Sequence, residues 1–304
     1  MRFAIIVCTR NRSALLAECL ASVRPELLAA AEPGLLIVVD NGSTDDTESV
    51  CRAFGATVPE DRFRYVSEPR TGLSIARNRG IDDGADAEIV AFLDDDAKVA
   101  PGWLESCLAA FDAYRDVSGI GGEILPWFTA ETMPPPAWFK PPLSHYYCTY
   151  SLPGADVSDF PARHHPVGVN MAFRRAVFDR FRFSEALGRS GTNLISGEEA
   201  ELCGQIRRAG GRLLYVAPMR VEHFIHPDRL NEGWIRERHY YEGISRARLR
   251  MSGGELTLIL GKNVVRLAVS ALRLPFSSGF SRLLAQCEMR RAWGFLTEFL
   301  SPSS

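Results

Sequence analysis

The chain has 304 residues, 46% of them hydrophobic and 24% charged, and a formal net charge of −2. These values predict a globular protein with one large domain, or one domain and an appendage, and they argue against a general nucleic-acid-binding protein. The seven cysteines form no C-x-x-C pair, so we expect reduced thiols in a cytoplasmic protein and neither a zinc site nor a disulfide framework.

Apolar runs and helical periodicity alternate through the first hundred residues. The run at 89–93 is apolar without alternation, which predicts a strand buried on both faces in a mostly parallel sheet. The other predicted strands are residues 3–8, 35–39 and 63–66, and the predicted helices begin at Ser13 as a cap, at Thr44 or Asp45, and at Gly72. This order predicts a doubly wound α/β half-domain with all strand ends on one rim.

The second half is less regular. A helix after Pro101 and a strand at 120–125 precede the segment 126–166, which is rich in proline and aromatic residues and is predicted to be a lid or binding loop. The further predicted elements are a strand at 167–174, a helix at 198–209, a strand at 212–217, and helices from Asn231 to the end with a break at Pro275.

Three adjacent carboxylates, Asp94, Asp95 and Asp96, follow the buried strand at 89–93. Ligands bind at that edge of an open α/β sheet. Because the carboxylates repel one another, a cation is a natural partner, and Mn2+ or Mg2+ carried on a nucleotide diphosphate fits best. The alternative is an acidic turn that caps the next helix.

The same rim offers groups for a nucleotide. Asp40, after the second strand, can accept hydrogen bonds from a base or a ribose, and a helix start offers N–H groups to phosphate. The other candidate donor-binding residues are Thr9, Arg10 and Asn11 in the first turn, Gly72 in the turn before the third helix, Arg77 on that helix, and Asp94 and Asp95 after the fourth strand. Individually, such residues are as often turn residues or solvated charges.

Seven stretches in order over residues 3–229 resemble the inverting family 2 glycosyltransferases. They read AIIVCTRNR, IVVDNGSTDDT, GLSIARNRGI, IVAFLDDDA followed by PGW, VGVNMAFRR, GEEAELCGQIRRAGG and VEHFIHPDR. The resemblance implies the GT-A fold, in which helices flank a central, mostly parallel sheet, with a helical extension here at the C-terminus. It also implies a nucleotide-diphosphate sugar donor, a hydroxyl acceptor and a divalent cation.

The resemblance assigns roles at the rim. Asp40 contacts uracil or ribose, and Asp94 and Asp96 are the outer members of an Asp-x-Asp motif in which Asp96 ligates Mn2+ or Mg2+. Asp95 occupies the variable middle place. His223 matches the position of a histidine metal ligand, although a histidine there could equally be structural and His226 is close enough to be confused with it.

The resemblance also points to a catalytic base. Family members usually carry Glu-Asp where this chain has Glu198 and Glu199, and the second residue takes the proton from the acceptor hydroxyl, which selects Glu199. We expect Glu198 and Asn170 on the acceptor side. This chain departs from the family by having Glu in place of Asp, and two glutamates that open a helix can also simply stabilise its dipole.

We therefore predict a catalytic domain at 1–230 and a helical extension at 231–304. In the catalytic domain, 1–100 binds nucleotide and metal and 101–230 binds the acceptor. UDP is favoured over GDP or dTDP, and the acceptor is a carbohydrate, a lipid-linked sugar or a small molecule. The alternatives are a sugar-nucleotide-binding protein without turnover, motivated by the substituted base, and a sugar nucleotidyltransferase, whose usual glycine-rich loop is missing.

The C-terminal part is basic, with nine Lys or Arg and three Glu from Arg246 onward. In residues 255–274 the charges Lys262, Arg266 and Arg273 share one stripe of an otherwise apolar helix, and no run in the chain reaches the roughly 18 apolar residues of a spanning helix. The pattern predicts either peripheral membrane contact through 255–300, at the inner face of the membrane, or a helix packed on the protein with snorkelling arginines. The N-terminus lacks the apolar segment of a signal peptide.

Overall fold

The computed structural model describes residues 1–154, 156–189, 193–249 and 253–300, with side chains from Thr257 in the last range. The described residues form one nine-stranded sheet and eight α-helices. The strands are β1 (Phe3–Thr9), β2 (Gly34–Asp40), β3 (Phe63–Ser67), β4 (Ile89–Asp94), β5 (Ala97–Val99), β6 (Val117–Trp127), β7 (Val157–Asp159), β8 (Asn170–Arg174) and β9 (Arg212–Phe224). The helices are α1 (Ser13–Ala29), α2 (Thr47–Gly55), α3 (Leu73–Asp83), α4 (Trp103–Ala113), α5 (Glu198–Arg208), α6 (Glu232–Arg248), α7 (Gly253–Arg273) and α8 (Gly279–Leu300).

The strand order is β3-β2-β1-β4-β8-β6-β9-β5, and β7 pairs with β9 outside this path. The first four strands are parallel, as the alternation of strands and helices predicted. In the other half, β8 runs antiparallel to both β4 and β6, and β5 and β7 run antiparallel to β9. The sheet is therefore mixed: β6 and β9 are also parallel to each other, and the four adjacent parallel strands of the N-terminal half are the ones that the sequence predicted.

The strands at the centre of the sheet are buried on both faces, which explains their unbroken apolar sequences. In β1, Phe3, Ile5 and Val7 face a core formed with α1 and α4, whereas Ala4 and Ile6 face a core formed with α3 and α5. Full burial of such a side chain contributes about 1.5–3 kcal/mol. Layers on both faces therefore hold β1, β2 and β4 in a fixed register.

The predicted start of α1 is wrong in detail. Ser13 is the first helical residue, and the N-cap is Arg12, whose side chain does not cap the helix. The backbone N–H of Ser13 donates instead to Asp45 Oδ2 at 2.9 Å, and Asp45 Oδ1 also accepts from the hydroxyl of Thr47. A residue from the loop before α2 thus satisfies an orphan N–H at the start of α1.

The chain divides into two compact units. The first contains 1–127, 148–185 and 202–224, and the second contains 128–147, 186–201 and 225–304. The predicted loop at 126–166 is split by this division, because residues 128–147 belong with the C-terminal helices while Val157–Asp159 forms β7 of the sheet. The predicted helical extension therefore includes two segments that precede it in sequence.

In the second unit, α6 and α8 approach each other at two glycines. A Cβ added at Gly243 would lie 2.1 Å from the carbonyl oxygen of Arg291, and one at Gly294 would lie 2.0 Å from that of Tyr240. Aromatic side chains pack elsewhere in this unit, including Tyr147 against Trp234 with ring centroids 4.8 Å apart. Of the helices described, none has the length and apolar character required to cross a bilayer, and the predicted helical end at 301–304 lies outside the described residues.

Candidate active site

The carboxyl ends of the parallel strands bring together acidic residues that are distant in sequence. In the sheet register Thr9 pairs with Asp40, and Cys8 pairs with Asp94. Asp40 and Asp94 therefore flank the end of β1 on its two sides. This is the convergence that the alternation of strands and helices predicted.

Asp94, Asp96 and His223 form a group that fits a divalent cation. One ligand atom from each residue lies within 4.8 Å of those of the other two, and His223 Nε2 is 3.3 Å from Asp96 Oδ1. Strand pairing sets this geometry, because Ala97 in β5 pairs with His223 in β9 and the N–H of Phe224 donates to the carbonyl of Asp96. Two carboxylates and an imidazole are ligands that suit Mn2+, and carboxylates alone suit Mg2+.

Arg12 is a part of the site that the sequence analysis missed. Its Nη1 lies 2.9 Å from both Asp95 Oδ1 and Asp96 Oδ2, and Thr9 Oγ1 donates to Asp95 Oδ2 at 2.8 Å. Burial raises the pKa of Asp95 to about 6 and the neighbouring Asp96 adds to this, while Arg12 and Thr9 act in the opposite direction. Asp95, predicted at a variable place in the motif, is thus a buried carboxylate that binds Thr9 and Arg12 of the first turn.

Asp40 is oriented by two donors. The backbone N–H of Ser43 donates to Oδ1 at 2.8 Å, and the Tyr65 hydroxyl donates to Oδ2 at 2.7 Å. Each carboxylate oxygen has a second lone pair for a ligand donor. The N–H of Asn11 donates to Ser43 Oγ, so this predicted backbone donor is already used within the protein, whereas Arg10 is exposed.

Asn41 connects the end of β2 to the turn before α3, and the sequence analysis assigned it no role. Its amide nitrogen donates to the carbonyls of Glu68 and Arg70, and its Oδ1 accepts from the N–H of Gly72 at 2.8 Å. The N–H of Gly72, predicted for a ligand, therefore serves the turn itself. Gly72 has a φ of 152°, a conformation that side chains disfavour.

Arg77 on α3 is buried at the same rim. Its Nη2 is 3.5 Å from Asp94 Oδ1, and its guanidinium lies over the Phe183 ring at 5.4 Å from the centroid. The guanidinium is therefore fixed in place rather than solvated. It adds positive charge on the Asp94 side of the group.

The prediction that Asn170 faces the acceptor is wrong. Asn170 is fully buried, its Oδ1 accepts from Trp103 Nε1 at 2.9 Å, and its amide nitrogen donates to the carbonyl of Met219 at 2.6 Å. Met219 interrupts the pairing between β6 and β9, where the register shifts. Asn170 satisfies a carbonyl freed by that irregularity, which is a structural role.

The three glutamates that open α5 differ in exposure. Glu198 and Glu201 are buried, whereas Glu199 is partly exposed. The preceding turn is held from α6, because Arg238 Nη2 donates to Ser196 Oγ and the N–H of Ser196 donates to Ser245 Oγ, both at 2.9 Å. These bonds fix the backbone directly before Glu198 and Glu199.

The sheet order and the acidic group at its rim are those of the GT-A fold. A mannosyltransferase from Pyrobaculum calidifontis, solved with GDP-Man and Mn2+, matches with a TM-score of 0.64 at 18% identity, over 100% of this chain and 88% of that chain. Glucosyl-3-phosphoglycerate synthase from Mycobacterium tuberculosis, solved with Mn2+ and UDP-glucose, matches with a TM-score of 0.53 at 18% identity. The match covers 83% of this chain and 81% of that chain. At this identity the likeness shows the fold.

The sequence identifies the family. A profile of Glycosyl transferase family 2 matches residues 4–182, and the chain belongs to this family. It is 28% identical to a glucosyl-dolichyl phosphate glucuronosyltransferase of Haloferax volcanii over 254 residues, or 81% of this chain and 76% of that protein. It is 25% identical to the succinoglycan biosynthesis protein ExoM of Rhizobium meliloti over 80% of this chain and 73% of that protein.

Proposed function

We propose that this glycosyltransferase is inverting and metal-dependent, and that it moves a sugar from a nucleotide diphosphate, most simply UDP, to an acceptor hydroxyl. The observation that carries the proposal is the group of Asp94, Asp96 and His223, whose ligand atoms lie within 4.8 Å of one another. Asp96 and His223 are buried and Asp94 is partly buried, and a group of this charge is stable when a cation compensates it.

Each residue at the rim has a defined task in this proposal. Asp94, Asp96 and His223 would hold Mn2+ or Mg2+, which when bound supplies positive charge to the departing diphosphate. Arg77 adds a fixed guanidinium for the diphosphate oxygens. Asp40, oriented by Ser43 and Tyr65, accepts hydrogen bonds from the base or ribose.

Glu199 is the proposed general base. Inversion requires a group that takes the proton from the acceptor hydroxyl as it attacks the anomeric carbon opposite the leaving group. Of the three glutamates that open α5, Glu199 is the one with partial exposure, whereas Glu198 and Glu201 are buried. The bonds of Ser196 to Arg238 and Ser245 restrict the position of this carboxylate.

The donor and acceptor classes are proposed from the relatives. UDP-sugars accompany a Staphylococcus aureus TarS structure and the mycobacterial synthase, while the Pyrobaculum enzyme carries GDP-Man. The name of the Haloferax relative includes a sugar on a lipid phosphate. We therefore propose a UDP-sugar donor and an acceptor in which a carbohydrate hydroxyl is carried on a lipid or a polysaccharide.

The experiment is a donor panel with and without Mn2+. We expect a UDP-sugar to raise the melting temperature only when Mn2+ is present, because a ligand that binds the folded state stabilises it. The same donor should give transfer or slow hydrolysis, with the anomeric configuration of the product inverted. Undiminished turnover in a chelator, or a product with retained configuration, would contradict the proposal.

A further inference from the structure

The two buried side chains that the structure describes on α7 are polar, whereas the exposed side of the helix is apolar, the reverse of a helix that only packs on a core. Asn263 and Ser270 are buried, with 3% and 7% of their surfaces exposed. Arg266, between them, donates to Asn263 Oδ1 at 3.0 Å. On the other side, Val265 and Leu272 are 61% and 73% exposed.

The exposed apolar side chains form one stripe. Leu258, Val265, Val269 and Leu272 follow one another at spacings of seven, four and three residues, which places them on one face of the helix. From Leu258 to Leu272, the exposed residues are Leu, Val, Ala and Gly apart from Lys262. The stripe continues into the short 3-10 helix after α7, where Phe276 is 93% exposed.

Exposed basic side chains lie on α7 and α8. Lys262 and Arg273 are exposed along one edge of α7, and Arg282 and Arg290 are exposed on α8. In the part of the chain that the structure describes, none of these four cations forms an ion pair. The four are therefore available to an anionic surface.

The acidic side chains of α7 and α8 that the structure describes do not neutralise these four cations. Glu288 pairs with Arg266 at 2.6 Å, and Glu298 pairs with Arg248 at 2.9 Å. A groove of about 970 Å3 runs along the stripe and is lined by Leu258, Val265, Val269, Lys262, Arg273 and the paired Glu288. A second groove, of about 510 Å3, is lined by Leu267, Leu274, Met289 and the exposed Trp293. Exposed tryptophan is typical of a bilayer interface.

We propose that the α7 face, defined as the stripe from Leu258 to Phe276 with Lys262 and Arg273 at its edge, docks on an anionic lipid bilayer, and that Arg282 and Arg290 of α8 add to the positive charge of this unit. The apolar side chains enter the region between headgroups and acyl chains, and the cations contact phosphates. A protein partner would need side-chain donors and acceptors to match, about one hydrogen bond per 100–200 Å2. The stripe offers only aliphatic and aromatic groups.

The test is co-sedimentation of the full chain with vesicles of phosphatidylcholine and phosphatidylglycerol in equal parts, compared with phosphatidylcholine alone. We expect binding to the mixed vesicles that decreases with salt. Val265→Asp combined with Val269→Asp should lower the partition coefficient by at least about tenfold. Lys262→Glu combined with Arg273→Glu should lower it more at low salt than at high salt.

Matched controls separate vesicle binding through the α7 face from nonspecific vesicle binding. Leu28→Asp places the same charge at an exposed apolar position on α1, and Arg163→Glu reverses an exposed cation outside the helices. Both should bind vesicles as the wild type does. All changed side chains are exposed, so melting temperatures should match and confirm folding.

Three results would overturn the proposal. The first is no binding to anionic vesicles at low salt, and the second is binding that the α7 variants leave unchanged. The third is a dimer in light scattering that Val265→Asp and Val269→Asp disrupt, without vesicle binding, which would assign the face to a second copy of the chain. Because no sugar donor is present, the outcome does not depend on the proposed reaction.

Discussion

At the ends of β1 and β4, three carboxylates share two guanidiniums, whereas in the helical unit two carboxylates share four guanidiniums. Asp94, Asp95 and Asp96 are accompanied by Arg12 and Arg77. In the helical unit, Glu242 pairs with Arg238 and Arg246, and Glu288 pairs with Arg266 and Arg291. The two units therefore carry charge imbalances of opposite sign.

The sign of each charge excess indicates which kind of partner each unit can bind. A buried negative excess is stable when a cation binds, and His223 beside Asp96 adds a neutral ligand suited to that cation. The positive excess of the helical unit is spread over paired and exposed arginines beside an apolar stripe. One imbalance is suited to a metal ion and the other to an anionic surface.

The largest effect is expected at the negative group. Asp96→Asn removes a proposed ligand and one partner of both Arg12 and His223, so turnover should fall about 10,000-fold, equivalent to ~5 kcal/mol. Initial rates with a saturating donor and Mn2+ measure this. Asp46→Asn, an exposed carboxylate at the start of α2, is the control and should keep its rate; equal losses in the two variants would refute a role specific to Asp96.

Glu199→Gln should lower kcat about 1,000-fold, a typical effect of removing a general base, while donor affinity stays unchanged. Glutamine keeps the shape and removes the proton acceptor. Single-turnover rates and donor binding by calorimetry separate the two effects. The same substitution at the two buried neighbours is the comparison. Full activity in Glu199→Gln together with lost activity in Glu198→Gln or Glu201→Gln would assign the general base to that neighbour instead.

The helical unit should lose stability in acid. Burial lowers the pKa of His239 to about 4, below the ~6.5 of an unfolded histidine, because the fold favours the neutral ring. The stabilisation is complete above pH ~6.5 and is lost as the pH falls toward 4, by up to about 3 kcal/mol. Urea unfolding across this range should show a shallower pH slope in His239→Gln than in the wild type, and identical slopes would contradict the assignment.

The smallest effect is expected at the turn before α5. Ser245→Ala removes the acceptor for the N–H of Ser196, and we expect kcat to fall about tenfold with little change in donor KM. Arg238→Lys, which keeps charge but shortens the reach to Ser196 Oγ, should act in the same direction. Ser281→Ala, an exposed serine on α8, should be neutral. A lower melting temperature without any change in kcat would indicate a purely structural role.

The sequence predicted the features that depend on local residue patterns and on the parallel direction of neighbouring strands. Strands buried on both faces produce unbroken apolar runs, so the ends of β1, β2 and β4 could be located, and with them Thr9, Asp40 and Asp94. The seven stretches that resemble family 2 predicted the fold and the family, and both are confirmed. His223 reaches the rim through strand pairing with Ala97, and only the resemblance to the family had suggested its place there.

Long-range polar contacts were not predictable in the same way. Arg12 meets Asp95 across 83 positions, and Asn170 meets Met219 across 49, and neither pairing leaves a periodic signal. Asn170 was misassigned because a polar residue in a strand can either face a cleft or satisfy a buried carbonyl. The sequence looks the same in both cases. The division of 126–166 between two units likewise depends on packing of 128–147 against the C-terminal helices.

The central claim is that Asp94, Asp96 and His223 hold a divalent cation together with a nucleotide diphosphate. Titration of Mn2+ in the presence of UDP, followed by electron paramagnetic resonance of the free ion, measures this directly. We expect the wild-type chain to remove one equivalent of Mn2+ from solution, and Asp96→Asn and His223→Ala to remove far less. Binding of Mn2+ by Asp96→Asn that equals the wild type would contradict the account.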